Sequence, residues 1–168
     1  MQTNNIPNAE QESTDPYGTL IKYLYFRRET TPEEKEDFDE YDDPDVPMFV
    51  DYTEEEMALL IDGDEVILDY PEYKLLIDYP LKNPDTITFT PTRPVTRKTF
   101  LEELRKEYLR IYEEEGPAGP YVGNSLNRPK TNGKYGIWGH VIGDLVMARA
   151  SVYRTPEEKI LVALDIDS

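Results

Sequence analysis

The clearest pattern of apolar and polar positions lies between Thr96 and Gly116. Six apolar residues recur there at steps of three and four: Phe100, Leu101, Leu104, Tyr108, Ile111 and Tyr112. This spacing puts them on one stripe and predicts an amphipathic α-helix over about 97–115. Thr96 or Thr99 suits the N-cap position, and Gly116 suits the stop. The remainder of the chain must bury this stripe.

Shorter apolar stretches with alternation or β-branched and aromatic residues predict strands. They are residues 18–26, 57–70, 73–79, 86–90 and a C-terminal hairpin of 145–154 and 159–165. The first is also compatible with a short helix, but its aromatic content favours a strand. Together with the long helix they predict an α+β fold: a mainly antiparallel sheet, with the helix packed on one face and a C-terminal β-hairpin.

Residues 53–70 fit two interpretations. Thr53 followed by three glutamates is typical of a helix start. The aliphatic runs on both sides of Asp62-Gly63 are typical of two short strands around a tight turn. We favour the hairpin because of its turn chemistry and the β-branched residues after it.

Acidic residues are concentrated in one part of the chain. The formal net charge is −17, and residues 29–72 carry nineteen acids and a single base, Lys35. Such a field repels nucleic-acid backbones and anionic membrane surfaces and attracts cationic partners. We therefore predict a basic protein surface as the partner, with no direct nucleic-acid binding and no membrane association.

The remaining composition sets the domain organisation. We predict a flexible tail over residues 1–16, where few apolar residues are available for burial, and a single domain over 17–168. Residues 29–45 are mostly carboxylates and predict a solvated or partly disordered acidic arm. With no cysteine and no long apolar run, neither disulfides nor a spanning helix is expected, which favours a cytoplasmic protein.

The acidic region supplies the predicted binding residues. Carboxylates and interspersed aromatic anchors make up this set: Asp37, Asp39, Tyr41, Asp42, Asp43, Phe49, Tyr52 and Tyr70. The same carboxylates could ligate calcium, but the EF-hand spacing fails, because Asp42 stands where glycine is required and Met48 where glutamate is required. We predict no metal and no cofactor.

A second candidate site is the glycine-rich box at 127–144. Its ligand-cleft candidates are Arg128, Lys130, Lys134, Tyr135, Trp138 and His140. If the protein is an enzyme, His140 would act as acid or base, with Asp144 orienting it. The plainer interpretation makes Trp138 and His140 ordinary packing residues, and it is favoured because a lone histidine beside a lone tryptophan is a weak signal.

The charge order of the long helix opposes its dipole. Arg97 and Lys98 lie at its start and Glu113–Glu115 at its end. Either the ends fray or partners neutralise them. One hypothesis is a basic face of Arg93, Arg97, Lys98, Arg128, Lys130 and Lys134 that receives the acidic arm.

Three functional hypotheses follow. The leading one is a non-catalytic acidic protein-interaction module, of an inhibitor, immunity or assembly-subunit type, that docks a basic partner surface. The first alternative is a small enzyme or ligand-binding domain that uses the Tyr135–Asp144 box. The second is a DNA mimic, in which rigidly held carboxylates take the places of phosphates.

Overall fold

The computed structural model describes residues 16–37, 46–115, 131, 133–137 and 139–168. Its helices are α1 (Pro32–Asp37), α2 (Glu54–Ala58) and α3 (Arg97–Glu115), with a 3-10 turn at Ile142–Asp144. Its strands are β1 (Thr19–Tyr25), β2 (Arg27–Arg28), β3 (Val46–Phe49), β4 (Val66–Leu68), β5 (Tyr73–Ile77), β6 (Asp85–Phe89), β7 (Val95–Thr96), β8 (Val146–Arg154) and β9 (Ile160–Asp167).

The main sheet is built around the C-terminal hairpin. Its strand order is β2-β3-β8-β9-β5-β6, and β1 also pairs with β8. The β5–β9 pair is parallel, whereas the other pairs are antiparallel. Strands β4 and β7 form a separate two-stranded ribbon. The predicted α+β class, the mainly antiparallel sheet, the long helix and the C-terminal hairpin are confirmed.

The apolar stripe predicted for the long helix is buried in the core. Phe100, Leu101, Leu104, Tyr108 and Ile111 are buried and join one apolar cluster with residues of β5, β8 and β9. The ring of Phe100 stacks on that of Phe26, with centroids 5.3 Å apart. Burying a side chain of this size stabilises the fold by about 1.5–3 kcal/mol, so this stripe is a main source of stability.

Of the two N-cap candidates, Thr96 and Thr99, it is Thr96 that caps α3. Its hydroxyl accepts from the N–H of Thr99 at 3.1 Å, and the Thr99 hydroxyl accepts from the N–H of Thr96 at 2.9 Å. This reciprocal pair satisfies two donors that an open helix end leaves unpaired. The predicted bounds of the helix are therefore correct.

The predicted hairpin over 57–70 is wrong. Residues 54–58 form α2, in which Thr53 and Glu56 make a capping box. The strand after Gly63 is β4, and its partner is β7, since Val66 pairs with Thr96. The Asp62-Gly63 turn signal acts only over neighbouring residues. The strand after it, β4, pairs instead with β7, the segment that leads into α3.

The first part of the predicted acidic arm folds onto the body. Residues 32–37 form α1, and its first turn is closed by Thr31 and Glu34, whose side chains each accept from the other's N–H at 3.2 and 2.8 Å. The arm's remaining residues, 38–45, lie outside the described residues, as do residues 1–15 of the predicted tail.

Candidate functional site

The acidic segment 51–72 wraps the N-terminal turn of α3. The N–H of Arg97 donates to the carbonyl of Glu65 at 3.0 Å, and the N–H of Lys98 donates to that of Gly63 at 2.9 Å. Pairing of β4 with β7 holds the rest of the segment beside the same turn. Carboxylates near a helix N-terminus are favoured by the helix dipole. The first N–H groups of α3 are therefore satisfied by carbonyls of the acidic segment, and the Glu65 carboxylate pairs with the Arg97 side chain.

Five carboxylates of this segment define what we call the acidic face: Glu54, Glu55, Asp64, Asp69 and Glu72. Each is exposed and makes no ion pair with any described residue. Their charge is therefore left for solvent or for another molecule.

The neighbouring arginines are already engaged. Arg28, only 5% exposed, donates to both carboxylate oxygens of Glu34 at 2.7 and 2.9 Å and lies 3.5 Å from Glu56. Arg105 pairs with Asp51 at 2.9 Å. In each of these ion pairs an arginine neutralises a carboxylate outside the acidic face. The negative charge of the acidic face is therefore not reduced.

Arg97 is held by the body of the protein. Its guanidinium donates to the carbonyls of Tyr25 and Asp62 at 2.9 and 2.6 Å and to the Glu65 carboxylate at 2.9 Å. Lys134, another predicted member of the basic face, lies near the other end of α3, and a 19-residue helix spans about 28 Å. The described members of the predicted basic face therefore do not lie on one surface. Glu34 of the acidic arm pairs with Arg28, which is not a member of that face.

The described aromatic anchors, Tyr52, Tyr70 and Phe49, are half-buried. Tyr52 and Tyr70 pack against the core and keep a solvent-facing surface. The Arg105 guanidinium lies 5.4 Å from the ring centre of Tyr52. Burial, and secondarily the Glu102 carboxylate, raise the pKa of Tyr52.

Of the remaining predicted residues, Asp37 ends α1. The others in this set lie outside the described residues: Asp39, Tyr41, Asp42, Asp43, Arg128, Lys130 and Trp138. Their roles stay predictions.

Tyr135 of the glycine-rich box is buried. Its hydroxyl donates to Glu114 at 2.8 Å and accepts from Arg110 at 3.0 Å. The exposed Lys134 places its ammonium 5.2 Å from the Tyr135 ring centre. These contacts connect the box to the last turns of α3.

His140 is half-buried beside the tyrosines of the core. Its Nε2 lies 3.1 Å from the Tyr79 hydroxyl, which also lies 2.7 Å from Oγ of Ser168. The Tyr112 hydroxyl donates to the His140 carbonyl at 2.9 Å, and burial, followed by the half-buried Asp144, raises the pKa of Tyr112. The structure thus brings His140 and Asp144 to the same tyrosine. Whether they take part in chemistry stays a prediction.

The end of α3 is stabilised by hydrogen bonds rather than by cations. The Glu115 carboxylate accepts from the N–H groups of Tyr135 and Gly136 at 3.0 and 2.7 Å, and also from the Thr131 hydroxyl. Desolvation opposes its ionisation, but these donors prevail and hold the pKa of Glu115 below its usual value. The adverse charge order at this end is therefore compensated locally.

A cleft of about 450 Å³, which no sequence pattern predicts, lies beside the acidic segment. Among its lining residues are Tyr73, Phe89, Pro91, Arg93, Pro94, Val95 and Glu103. Nothing in their spacing indicated that the ends of β5 and β6 would meet α3 there. A second, more polar cleft of about 490 Å³ includes Tyr52, Glu54 and Lys98.

Comparisons of the chain with models of known protein families, with curated proteins and with solved structures found no match. Within the described ranges, no helix is long and apolar enough to cross a bilayer. No group of three or more acidic or histidine side chains converges as metal ligands in the same part of the chain.

Proposed function

We propose that this protein is a non-catalytic interaction module whose acidic face docks a basic surface of a protein partner. One observation carries the proposal. The five carboxylates of the acidic face are exposed and unpaired among the described residues, while the adjacent arginines 28, 97 and 105 are already bound to other acids. These five charges of the segment 51–72 thus face outward.

The elements beneath these carboxylates support recognition as well as attraction. Glu54 and Glu55 lie on α2, which is fixed by its capping box, and Asp69 follows β4, which is paired with β7. Charges on fixed elements align with a partner at a lower entropic cost than charges on a free chain. Tyr52 and Tyr70, half-exposed among them, would provide apolar contact area, because aromatic residues are enriched at interface hot spots.

Electrostatics of this kind acts mainly on the association rate and on partner choice. Pairs of exposed charges are individually weak and are screened within about 8 Å at physiological salt. We therefore expect binding that is fast at low ionic strength and declines steeply as salt is added.

The test is zero-length carbodiimide cross-linking, which joins carboxylates to the amines they contact, in an extract of the native source. The full chain is compared with a triple variant, Glu54→Gln, Asp69→Asn and Glu72→Gln. A matched control removes three exposed acids elsewhere: Glu113→Gln, Glu157→Gln and Asp167→Asn.

We expect the parent and the control to cross-link the same basic protein at low salt, with peptides that map to the acidic face. The triple variant should lose most of this product. Equal yields from the two variants, or no basic partner at low salt, would refute the proposal.

A further inference from the structure

The cleft of about 450 Å³ is lined by apolar side chains and by two residues of opposite charge. Its lining combines aromatic, proline and aliphatic side chains with four threonines, and the rings of Tyr73 and Phe89 stack with centroids 5.3 Å apart and planes 19° apart. Its volume lies within the range of pockets that take small ligands or single side chains. Glu103 and Arg93 are the charged residues among its lining.

Tyr73 contributes a polar atom that the fold does not use. The residue is only 2% exposed, and its hydroxyl makes no hydrogen bond to any described residue although it borders the cleft. The hydroxyl is not sealed from solvent, because the fully buried side-chain atoms without a partner among the described residues are Arg28 Nε and Thr30 Oγ1. A ligand in the cleft can therefore reach it. Burial, and then the Glu103 carboxylate, raise the pKa of Tyr73 to about 12. The phenol is therefore neutral at physiological pH and can both donate and accept.

Glu103 is available to a ligand. Its described ion pair is with Lys106, one turn away on α3, at 3.6 Å, and the two side chains are 43% and 72% exposed. An exposed pair of this type contributes little, so a better-placed cation can replace Lys106.

The cleft is continuous with the acidic segment. Tyr73 directly follows Glu72, and Val95 of the lining pairs with Leu68 in β4. A basic partner that docks on the acidic face therefore also reaches the cleft.

We propose that this cleft receives an arginine side chain presented by the basic partner, an inference that rests on the function proposed above. The arginine stem would lie along the prolines and Val95, and long basic side chains bury their stems against apolar surfaces in this way. The guanidinium would stack on the half-buried Phe89 ring and donate to the Glu103 carboxylate and the Tyr73 oxygen. Arginine suits this site better than lysine, because its planar head stacks on rings, is weakly hydrated and offers several fixed donors.

Arg93 allows a test of whether the cleft prefers a cation or an anion. It is exposed and has the same charge as the proposed occupant. Replacing it with glutamine should therefore strengthen binding of an arginine side chain and weaken binding of an anion. Replacing Glu103 with glutamine should act in the opposite direction in each case.

The experiment is an NMR titration of the full chain with capped arginine, N-acetyl-arginine methylamide. Capped lysine and capped citrulline, which has arginine's shape without its charge, are the comparison ligands. We expect saturable shifts at Val95, Thr96 and Thr99, with arginine binding more tightly than lysine and no saturation with citrulline. Glu103→Gln should weaken arginine binding about five-fold, and Glu113→Gln, on the same helix but away from the cleft, should leave it unchanged.

Tyr73→Phe tests the hydroxyl alone and should also weaken binding of capped arginine, while leaving the fold intact. Equal binding of citrulline, tighter binding after Glu103→Gln, or shifts confined to residues outside the cleft would overturn the inference. If arginine fails to bind but the acidic-face variant still loses its cross-link, only the cleft assignment fails. Loss of the cross-linking difference while arginine still enters the cleft would refute the proposed function instead.

Discussion

Arg28 and Glu34 form a bidentate ion pair, with both guanidinium NH groups donating to the two carboxylate oxygens at 2.7 and 2.9 Å. Arg28 is buried in the body of the protein, whereas Glu34 belongs to α1, the first part of the acidic arm. This contact fastens a helix of mostly like-charged residues, which has little apolar surface of its own to bury.

Glu34→Gln should therefore destabilise the protein. The substitution removes one charge from a buried arginine, which retains Glu56 at 3.5 Å. Because Glu34 is about a third exposed, we expect a loss of about 1–2 kcal/mol, less than for a fully buried pair. Urea denaturation measures it, and Glu33→Gln, an exposed neighbour in α1, should change the free energy of unfolding by less than about 0.5 kcal/mol. Equal effects of the two substitutions would contradict the role given to the pair.

The same pair predicts an acid-sensitive contribution to stability. Hydrogen bonds from Arg28, followed by that from Thr31, lower the pKa of Glu34 from its ordinary value of 4.5 to about 2. A lowered pKa means that the folded state binds the proton less readily than the unfolded state. This contribution is complete above about pH 4.5 and is lost as the pH falls towards 2. The stability difference between parent and Glu34→Gln, measured from pH 7 to pH 2, should shrink over that window; a constant difference would refute the assignment.

Glu115→Gln should weaken the junction between α3 and the loop at 131–137. A glutamine presents one acceptor oxygen and an NH₂ group, so it cannot accept from Tyr135, Gly136 and Thr131 together. Charge-assisted bonds to backbone N–H groups are stronger than neutral ones, and we expect a loss of about 1–2 kcal/mol.

Amide hydrogen exchange locates this effect. The N–H groups of Tyr135 and Gly136 should exchange faster in Glu115→Gln, whereas Glu113→Gln, an exposed neighbour, should leave them unchanged. Unchanged exchange in the Glu115 variant would show that the contact does not order the loop.

Tyr108→Phe removes a buried hydrogen bond at little cost in volume. The Tyr108 hydroxyl donates to the Tyr79 carbonyl at 2.7 Å, within a fully buried side chain. Its loss leaves that carbonyl without this donor and should lower the free energy of unfolding by about 1–2 kcal/mol. Tyr25→Phe, at a residue that is 52% exposed, should have almost no effect. Similar Tm changes in the two variants would contradict this account.

The core tyrosines predict a delayed alkaline titration. Desolvation is the largest cause that raises the pKa values of Tyr108, Tyr112 and Tyr73, the last to about 12. Because the folded state favours the neutral phenols, their contribution to stability is complete below pH 10 and declines as the pH rises above it. Phenolate absorbance should reveal these tyrosines only at higher pH or on unfolding. Their ionisation near pH 10 in a fully folded chain would contradict their burial.

Thr53→Ala should unfold α2, the short helix found where part of a hairpin was predicted. Thr53 and Glu56 satisfy each other's N–H groups at 3.1 and 2.8 Å, and loss of such a cap costs about 1 kcal/mol. Thr53→Ser keeps the hydroxyl and should retain most of the stability. Faster exchange of amides in α2, in the alanine variant alone, is the measurement that connects the loss to the cap.

The candidate site was predictable in its charge but not in its shape. The run of acids in residues 29–72 is evident in the sequence, and its attraction to cations follows from charge alone. Which carboxylates stay unpaired depends on where the arginines fall in space. Arg97 pairs with Glu65, 32 positions away, and Arg105 with Asp51, 54 positions away.

By itself the sequence determined the elements whose signals are local. The period of Phe100 to Ile111, the Thr96 cap and the hairpin turn after Arg154 each act over a few residues, so α3 and the β8–β9 hairpin were predicted with nearly correct bounds. Tertiary structure decided the contacts between distant segments. It paired β4 with β7 and β5 in parallel with β9, and it brought Tyr73 and Glu103 to one cleft, because long-range pairing is selected by the total burial and hydrogen bonding of the whole fold.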